Sequence, residues 1–312
     1  MAGGVTRVAA VGGGQGADRL GLYDDTARRA ADVVVRRYST SFGLATRLLP
    51  PGQRGHVRNV YALVRLADEV VDGASAEAGA DVERSRGLLD DLEQRTESAM
   101  ASGYSTDVLV HAFAITAREV GITTDLTRPF FASMRTDLDV TVHDEASLAD
   151  YVYGSAEVVG LMCLRVFLHD EADRDRRFAE LTPGARALGA AFQKINFLRD
   201  LAEDGAVLGR QYLVGLDPRH VTEEAKATAL AEIDADLRVA RTALVDLPSG
   251  PRRAVGVAYG LFAELAARIR ATPAEELGAT RVRVPSSVKA RIAATAVLRA
   301  SLAGSHGGRS RR

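Results

Sequence analysis

Asp68 and Asp72 stand four positions apart in "VYALVRLADEVVDG", a stretch that is otherwise largely apolar. On a helix of about 3.6 residues per turn they share one face. A second segment, "LGAAFQKINFLRDLAEDGAVLGRQYL", sets Gln193, Asn196, Asp200 and Asp204 at spacings of three, four and four, again along one face. Both faces emerge from segments that read as mostly buried, and a carboxylate taken out of water needs a cation or a proton. The donors are oxygens, the set that suits a hard cation such as Mg2+, and neither segment holds the His or Cys that zinc prefers. One Asp pair in a chain with 41 acidic residues arises readily by chance on a solvated face; the second cluster moves the balance toward function. Arg65 and Arg199 lie beside the two clusters, either as ordinary ion-pair partners or as groups sharing a polyanion with the metal. Mg2+ keeps waters and is commonly completed by substrate phosphates. Two acidic walls bridged to a diphosphate would make it a better leaving group, and ionisation of an allylic diphosphate is the natural chemistry. The carbocation left behind requires an apolar, water-poor pocket.

The elements that must carry these faces are helices. Apolar residues recur at helical spacing between the punctuation marks "LPPGQRG", "LTPGAR" and "LPSGPRR", and strand-like alternation is scarce. Helices are expected near residues 24–47, 54–72, 82–101, 105–120, 125–139, 147–169, 184–205, 222–246, 251–271 and 285–303. No fixed-period repeat or long linker divides them, so the expected fold class is all-α, a single domain of about ten helices around a central apolar cavity. Residues 1–20 read as a flexible N-terminal tail, 21–302 as the catalytic domain and 303–312 as a basic C-terminal tail. The "GGGQG" in the first tail lacks the Lys-Ser/Thr and the preceding strand of a phosphate loop.

Composition bounds the rest. With 46% hydrophobic residues in 312, the chain has material for a sizeable core, and a net charge of −1 gives no electrostatic reason to expect nucleic acid. Cys163 is alone, cannot form an internal disulfide, and lies in the apolar run "GLMCLRVFL", where a buried structural thiol is expected and a reducing cytoplasm fits. No signal-peptide core and no run of 18 apolar residues is present. Contact with a membrane surface stays open.

Four blocks, in order over residues 35 to 290, resemble the phytoene/squalene synthase family of head-to-head prenyl transferases, and most closely its bacterial phytoene synthases. They are "YSTSFGLATRLLP" (Tyr38 to Pro50), "YALVRLADEVVD" (Tyr61 to Asp72), "YVYGSAEVVG" (Tyr151 to Gly160) and the second acidic segment (Leu188 to Leu213); "RVRVPSSVK" (Arg281 to Lys289) is a weaker fifth. The resemblance implies the isoprenoid synthase helical fold and Mg2+-dependent joining of two prenyl diphosphates, with Mn2+ as an alternative ion. Carried across by position, Asp68 and Asp72 would bind metal on one wall and Asn196, Asp200 and Asp204 on the other. Ser39, Ser41, Arg65 and Arg281 would hold diphosphate oxygens, with Arg199 assisting, while Phe42, Tyr151, Gln193 and Tyr259 would line the cavity. Taken alone, the serines read equally as helix caps and the tyrosines as core. The family's chemistry runs through a cyclopropylcarbinyl diphosphate to a 1-1' linked product: phytoene from C20 donors by proton loss, without NADPH, or squalene-type C30 products from farnesyl diphosphate. A non-catalytic binding protein on the same fold is the alternative of another class, and oligomeric state is unspecified.

Two positions depart from the family pattern. Glu157 stands where a small glycine is usual, and either reaches metal or substrate or turns outward into an ion pair. Val214 replaces a common proline and alters only a loop.

Overall fold

The computed structural model describes residues 18–39, 41–203 and 211–295, and of Ser41, Phe42, Leu44 and Glu203 the backbone alone. The tails assigned to 1–20 and 303–312 lie almost wholly outside that range. The described residues are helical: α1 (Arg19–Tyr38), α2 (Ser41–Thr46), α3 (Pro51–Val71), α4 (Ala74–Glu77), α5 (Val82–Ser102), α6 (Val108–Val120), α7 (Thr124–Asp139), α8 (Glu145–Val152), α9 (Val158–Phe167), α10 (Arg174–Glu203), α11 (Glu223–Leu244), α12 (Ser249–Ala271) and α13 (Ala274–Leu277). A further helical stretch covers 286–295. Among the described residues no helix is long and apolar enough to cross a membrane.

Local chemistry sets several boundaries. Pro51 opens α3, where its missing N–H costs nothing, and Asp18, Asp81, Asp107 and Asp144 cap the starts of α1, α5, α6 and α8 through backbone N–H groups. The single helix expected over 24–47 is broken: Ser39 is extended, with φ −140° and ψ 120°, and α2 restarts beyond it. The expected start at residue 184 is also corrected, because α10 runs straight through Pro183. Proline removes the hydrogen bond to the carbonyl four residues back, and Ala179 is exposed, so that oxygen is left to water. Gly184 beside it lies against Ala243 of α11 so closely that a Cβ would collide with that side chain. Packing of α10 on α11 thus overrides the local breaker signal.

Two cores result. One joins α3, α5, α6, α7 and α9 through Leu63, Leu89, Phe113, Phe130, Phe131 and Met162; the other joins α8, α10, α11 and α12 through Tyr151, Ile195, Leu198, Ile233 and Ile269. Cys163 packs against the first core, and burial pushes its thiol up to about 12, so it is not a thiolate at neutral pH.

Between α8 and α9 the helix widens into a π turn over Tyr153–Glu157. Such turns leave a backbone carbonyl without its usual partner; here the Ser133 hydroxyl of α7 donates to the Tyr151 carbonyl at 3.1 Å. Gly154 makes this contact possible, since a Cβ there would overlap Ser133 and the Pro129 carbonyl.

Candidate active site

Both acidic faces sit at the C-terminal ends of long helices. Asp68 lies in the last turn of α3 and Asp72 caps it, with no basic residue in that turn; Asn196 and Asp200 occupy the last two turns of α10, again with no base in the final turn. Helix dipoles place partial negative charge there, so each carboxylate is disfavoured by about 0.3–1 kcal/mol. Stability alone gives no reason for the arrangement. Burial pushes the Asp68 carboxyl up to about 7, opposed by Arg65 and reinforced by the charges of Asp72, Asp137 and Glu69. A cation at this end would relieve all of them.

Around the first wall, the Arg65 guanidinium pairs with Glu69, lies 3.9 Å from Asp68 and stacks 4.4 Å over the Tyr38 ring. The Ser39 side chain hydrogen-bonds Tyr61, one turn before Arg65. The break after α1 therefore delivers Ser39 to the first acidic face. On the second wall, Arg199 grips Asp200 through two nitrogens, and Arg281, from the chain after α13, places its Nε 2.9 Å from Asp200 Oδ1. Gln193 is half-buried one turn before Asn196, whose Oδ1 is buried without a hydrogen-bond partner. An orphaned buried oxygen is costly unless something else, such as a cation, accepts its lone pairs. Among the described residues no three His, Cys, Asp or Glu side chains converge on one point. Asp204 and the side chains of Ser41 and Phe42 lie outside the described residues.

Asp137, absent from the residues expected above, connects the walls. It lies in the last turn of α7 with 6% exposure and accepts hydrogen bonds from Tyr151 Oη at 2.7 Å and Tyr212 Oη at 3.1 Å. The Tyr212 ring stacks on Phe197 of α10 at 4.3 Å, and His143 stacks on Tyr212 at 5.8 Å and lies tilted 5.1 Å from Tyr151. A backbone bridge, with His143 N–H donating to the Gln211 carbonyl and Gln211 N–H to Thr141, holds the chain as it returns from α10. The signal was present in the sequence: Phe130, Met134 and Asp137 recur at helical spacing, which puts a carboxylate on a buried face.

Tyr259 packs, like Phe262, against the second core, which contains Ala191 and Ile195 of α10. It lines a 260 Å3 groove between α11 and α12 with Arg238, Arg241 and Arg270. Three residues on, Phe262 turns toward α10 and stacks on Phe192 at 3.7 Å, supplying the apolar wall next to Gln193. Glu157 is held in an ion pair: it accepts a hydrogen bond from Arg186 Nε of α10 at 2.5 Å, and Arg186 also lies over the Tyr153 ring. Val214 is exposed in a turn.

The family model for squalene/phytoene synthase matches residues 35–288. A phytoene synthase of Pseudescherichia vulneris is 31% identical over 255 residues, 75% of this chain and 79% of its own, and a 15-cis-phytoene synthase of a Paracoccus species is 30% identical over 275 residues, 81% and 84%. A chloroplastic phytoene synthase of Zea mays is 36% identical over 183 residues, and there the match spans only 41% of the relative's length. Among solved structures, a dehydrosqualene synthase superposes with a TM-score of 0.75 at 20% identity, covering 90% of this chain and 99% of its own. A squalene synthase of Alicyclobacillus acidocaldarius gives 0.69 at 20% identity, covering 80% and 95%. At that identity the likeness is one of fold.

Proposed function

The chain belongs to the squalene/phytoene synthase family, and we propose that it condenses two prenyl diphosphates head to head, with geranylgeranyl diphosphate as donor and phytoene as product. The observation that carries this reading is the pair of acid-bearing helix ends, Asp68 with Asp72 and Asn196 with Asp200, each attended by an arginine.

The names of the bacterial relatives favour the C20 donor. Asp68, Asp72, Asn196, Asp200 and Asp204 would hold Mg2+, which the oxygen-only donor set and the orphaned Asn196 Oδ1 suit. When bound, Mg2+ supplies neutralisation of the diphosphate as its C–O bond breaks. Arg65, Arg199, Arg281 and Ser39 bind and orient diphosphate oxygens; Arg199 and Arg281 already lie on the second wall and need only exchange a carboxylate for a phosphate. Phe192, Phe197 and Phe262 exclude water from the cationic chain and offer ring faces to it. In the reaction, one donor loses diphosphate, the 2,3-double bond of the other attacks C1, and proton loss closes the cyclopropane. Loss of the second diphosphate, rearrangement and a further proton loss give the hydrocarbon, so no reductant enters. Long apolar substrates favour a protein working against a bilayer surface.

The test is incubation of the purified protein with Mg2+ and either the C15 or the C20 diphosphate, with and without NADPH, followed by mass analysis of the extract. A C40 hydrocarbon made without NADPH is expected. A C30 product alone would replace the donor with farnesyl diphosphate, and no product from either would overturn the enzymatic reading.

A further inference from the structure

Asp137 is a buried carboxylate with no place in the scheme above, yet three separate parts of the chain meet on it. It belongs to α7, Tyr151 closes α8 just before the π turn, and Tyr212 follows the acidic end of α10. Both phenol hydrogens point at its oxygens, at 2.7 and 3.1 Å. A phenol whose hydrogen is committed to one acceptor must turn its lone pairs elsewhere, and the rotor is then fixed. The carboxylate behind it polarises the O–H bond and makes the phenol oxygen more negative than a solvated one.

We propose that Asp137 is the positioning residue of this site, fixing the Tyr151 hydroxyl and anchoring, through Tyr212, the chain that follows α10. The proposal rests on the prenyl-transfer reading. Three observations support it. The Asp137 charge acts on Asp68 of the first wall and helps to raise that carboxyl. Tyr212 stacks on Phe197, the neighbour of Asn196, which places it beside the second. The Tyr151 hydroxyl is held well above its ordinary value by burial and then by the Asp137 charge, so it stays a protonated donor throughout the neutral range. A negative oxygen that cannot itself become a nucleophilic phenolate is suited to an apolar site where a cation must survive. The bulk of the fold needs no such charge, since an aspartate at the last turn of α7 again opposes the helix dipole.

The experiment compares wild type with Asp137→Asn, which keeps the shape and one acceptor oxygen but removes the charge. With C20 diphosphate and Mg2+, kcat is expected to fall roughly 10- to 100-fold, while KM stays within about twofold because diphosphate binding is untouched. The cyclopropylcarbinyl diphosphate should accumulate relative to hydrocarbon. A second readout needs no turnover: phenolate absorbance between pH 9 and 13 in wild type, Tyr151→Phe and Asp137→Asn. The contribution that Tyr151→Phe removes should lie at the alkaline end in wild type and move to lower pH in Asp137→Asn. Should Asp137→Asn fail to fold, wild type against Tyr151→Phe still decides whether Tyr151 is held as a donor, and ordinary ionisation there would overturn the proposal. Product from wild type with unchanged kcat in folded Asp137→Asn would overturn the role of Asp137 alone. Wild type without product from either donor would instead overturn the prenyl-transfer reading, and the phenolate data would separate the two failures.

Discussion

Arg281 and Asp200 form an ion pair, Nε to Oδ1 at 2.9 Å, between the segment after α13 and the acidic end of α10. The same carboxylate is gripped by Arg199. Substrate binding thus begins from an aspartate already neutralised by two guanidinium groups. Arg281→Gln should raise KM for the prenyl diphosphate about tenfold or more, since a charge-assisted contact to phosphate is lost. Its helical circular dichroism should match wild type. Steady-state kinetics read the effect, and an unchanged KM would remove Arg281 from the diphosphate site.

Asp68→Ala and Asp200→Ala should each lower kcat by about 100-fold or more, in keeping with the loss of one preorganised charge-stabilising group, with the helical signal retained. Asp68→Ala should also stabilise the metal-free protein, because it deletes a carboxylate that burial and three neighbouring acids disfavour. Thermal melts in EDTA check the second effect. Wild-type turnover in either variant would dismantle the two-wall site.

Glu157→Gln should leave kcat and the Mg2+ response within about twofold of wild type and cost less than about 1 kcal/mol. Its partner Arg186 is half-exposed and its carboxylate points to α10 rather than to the acidic helix ends. A loss of activity with stability intact would place Glu157 on substrate after all.

His143 is 4% exposed. Burial holds its pKa below the ordinary value, against weaker opposing pulls from the Ser147 backbone and Asp144. The unfolded chain therefore takes up a proton near pH 6.5 that the folded chain resists, so the stability that neutral His143 allows is present above about 6.5 and drains as pH falls below it. His143→Phe keeps the stack on Tyr212 and removes the buried polar ring. Its melting temperature should exceed wild type at pH 8, and by a larger margin at pH 5. Equal margins at the two pH values would show that the imidazole does not titrate on unfolding.

Much of the site was legible because its grammar is local. Asp68 with Asp72, and Gln193, Asn196 and Asp200, are neighbours on their own helices, and helical periodicity alone aligns them. The oxygen-only donor set follows from residue identity. What misled was also local: Pro183 and Gly184 read as a boundary, yet contact with Ala243 carries α10 through them.

The amino-acid sequence by itself determined that the chain is helical and where its two acidic faces lie, since each depends on spacings of three and four residues within one helix. Only the tertiary structure decided that Arg281 meets Asp200, that Glu157 turns to Arg186, that Phe262 stacks on Phe192 of α10, and that Asp137 gathers Tyr151 and Tyr212. These contacts join residues far apart in the chain. Their geometry is set by the rotation of one packed helix against another, which no single helix encodes.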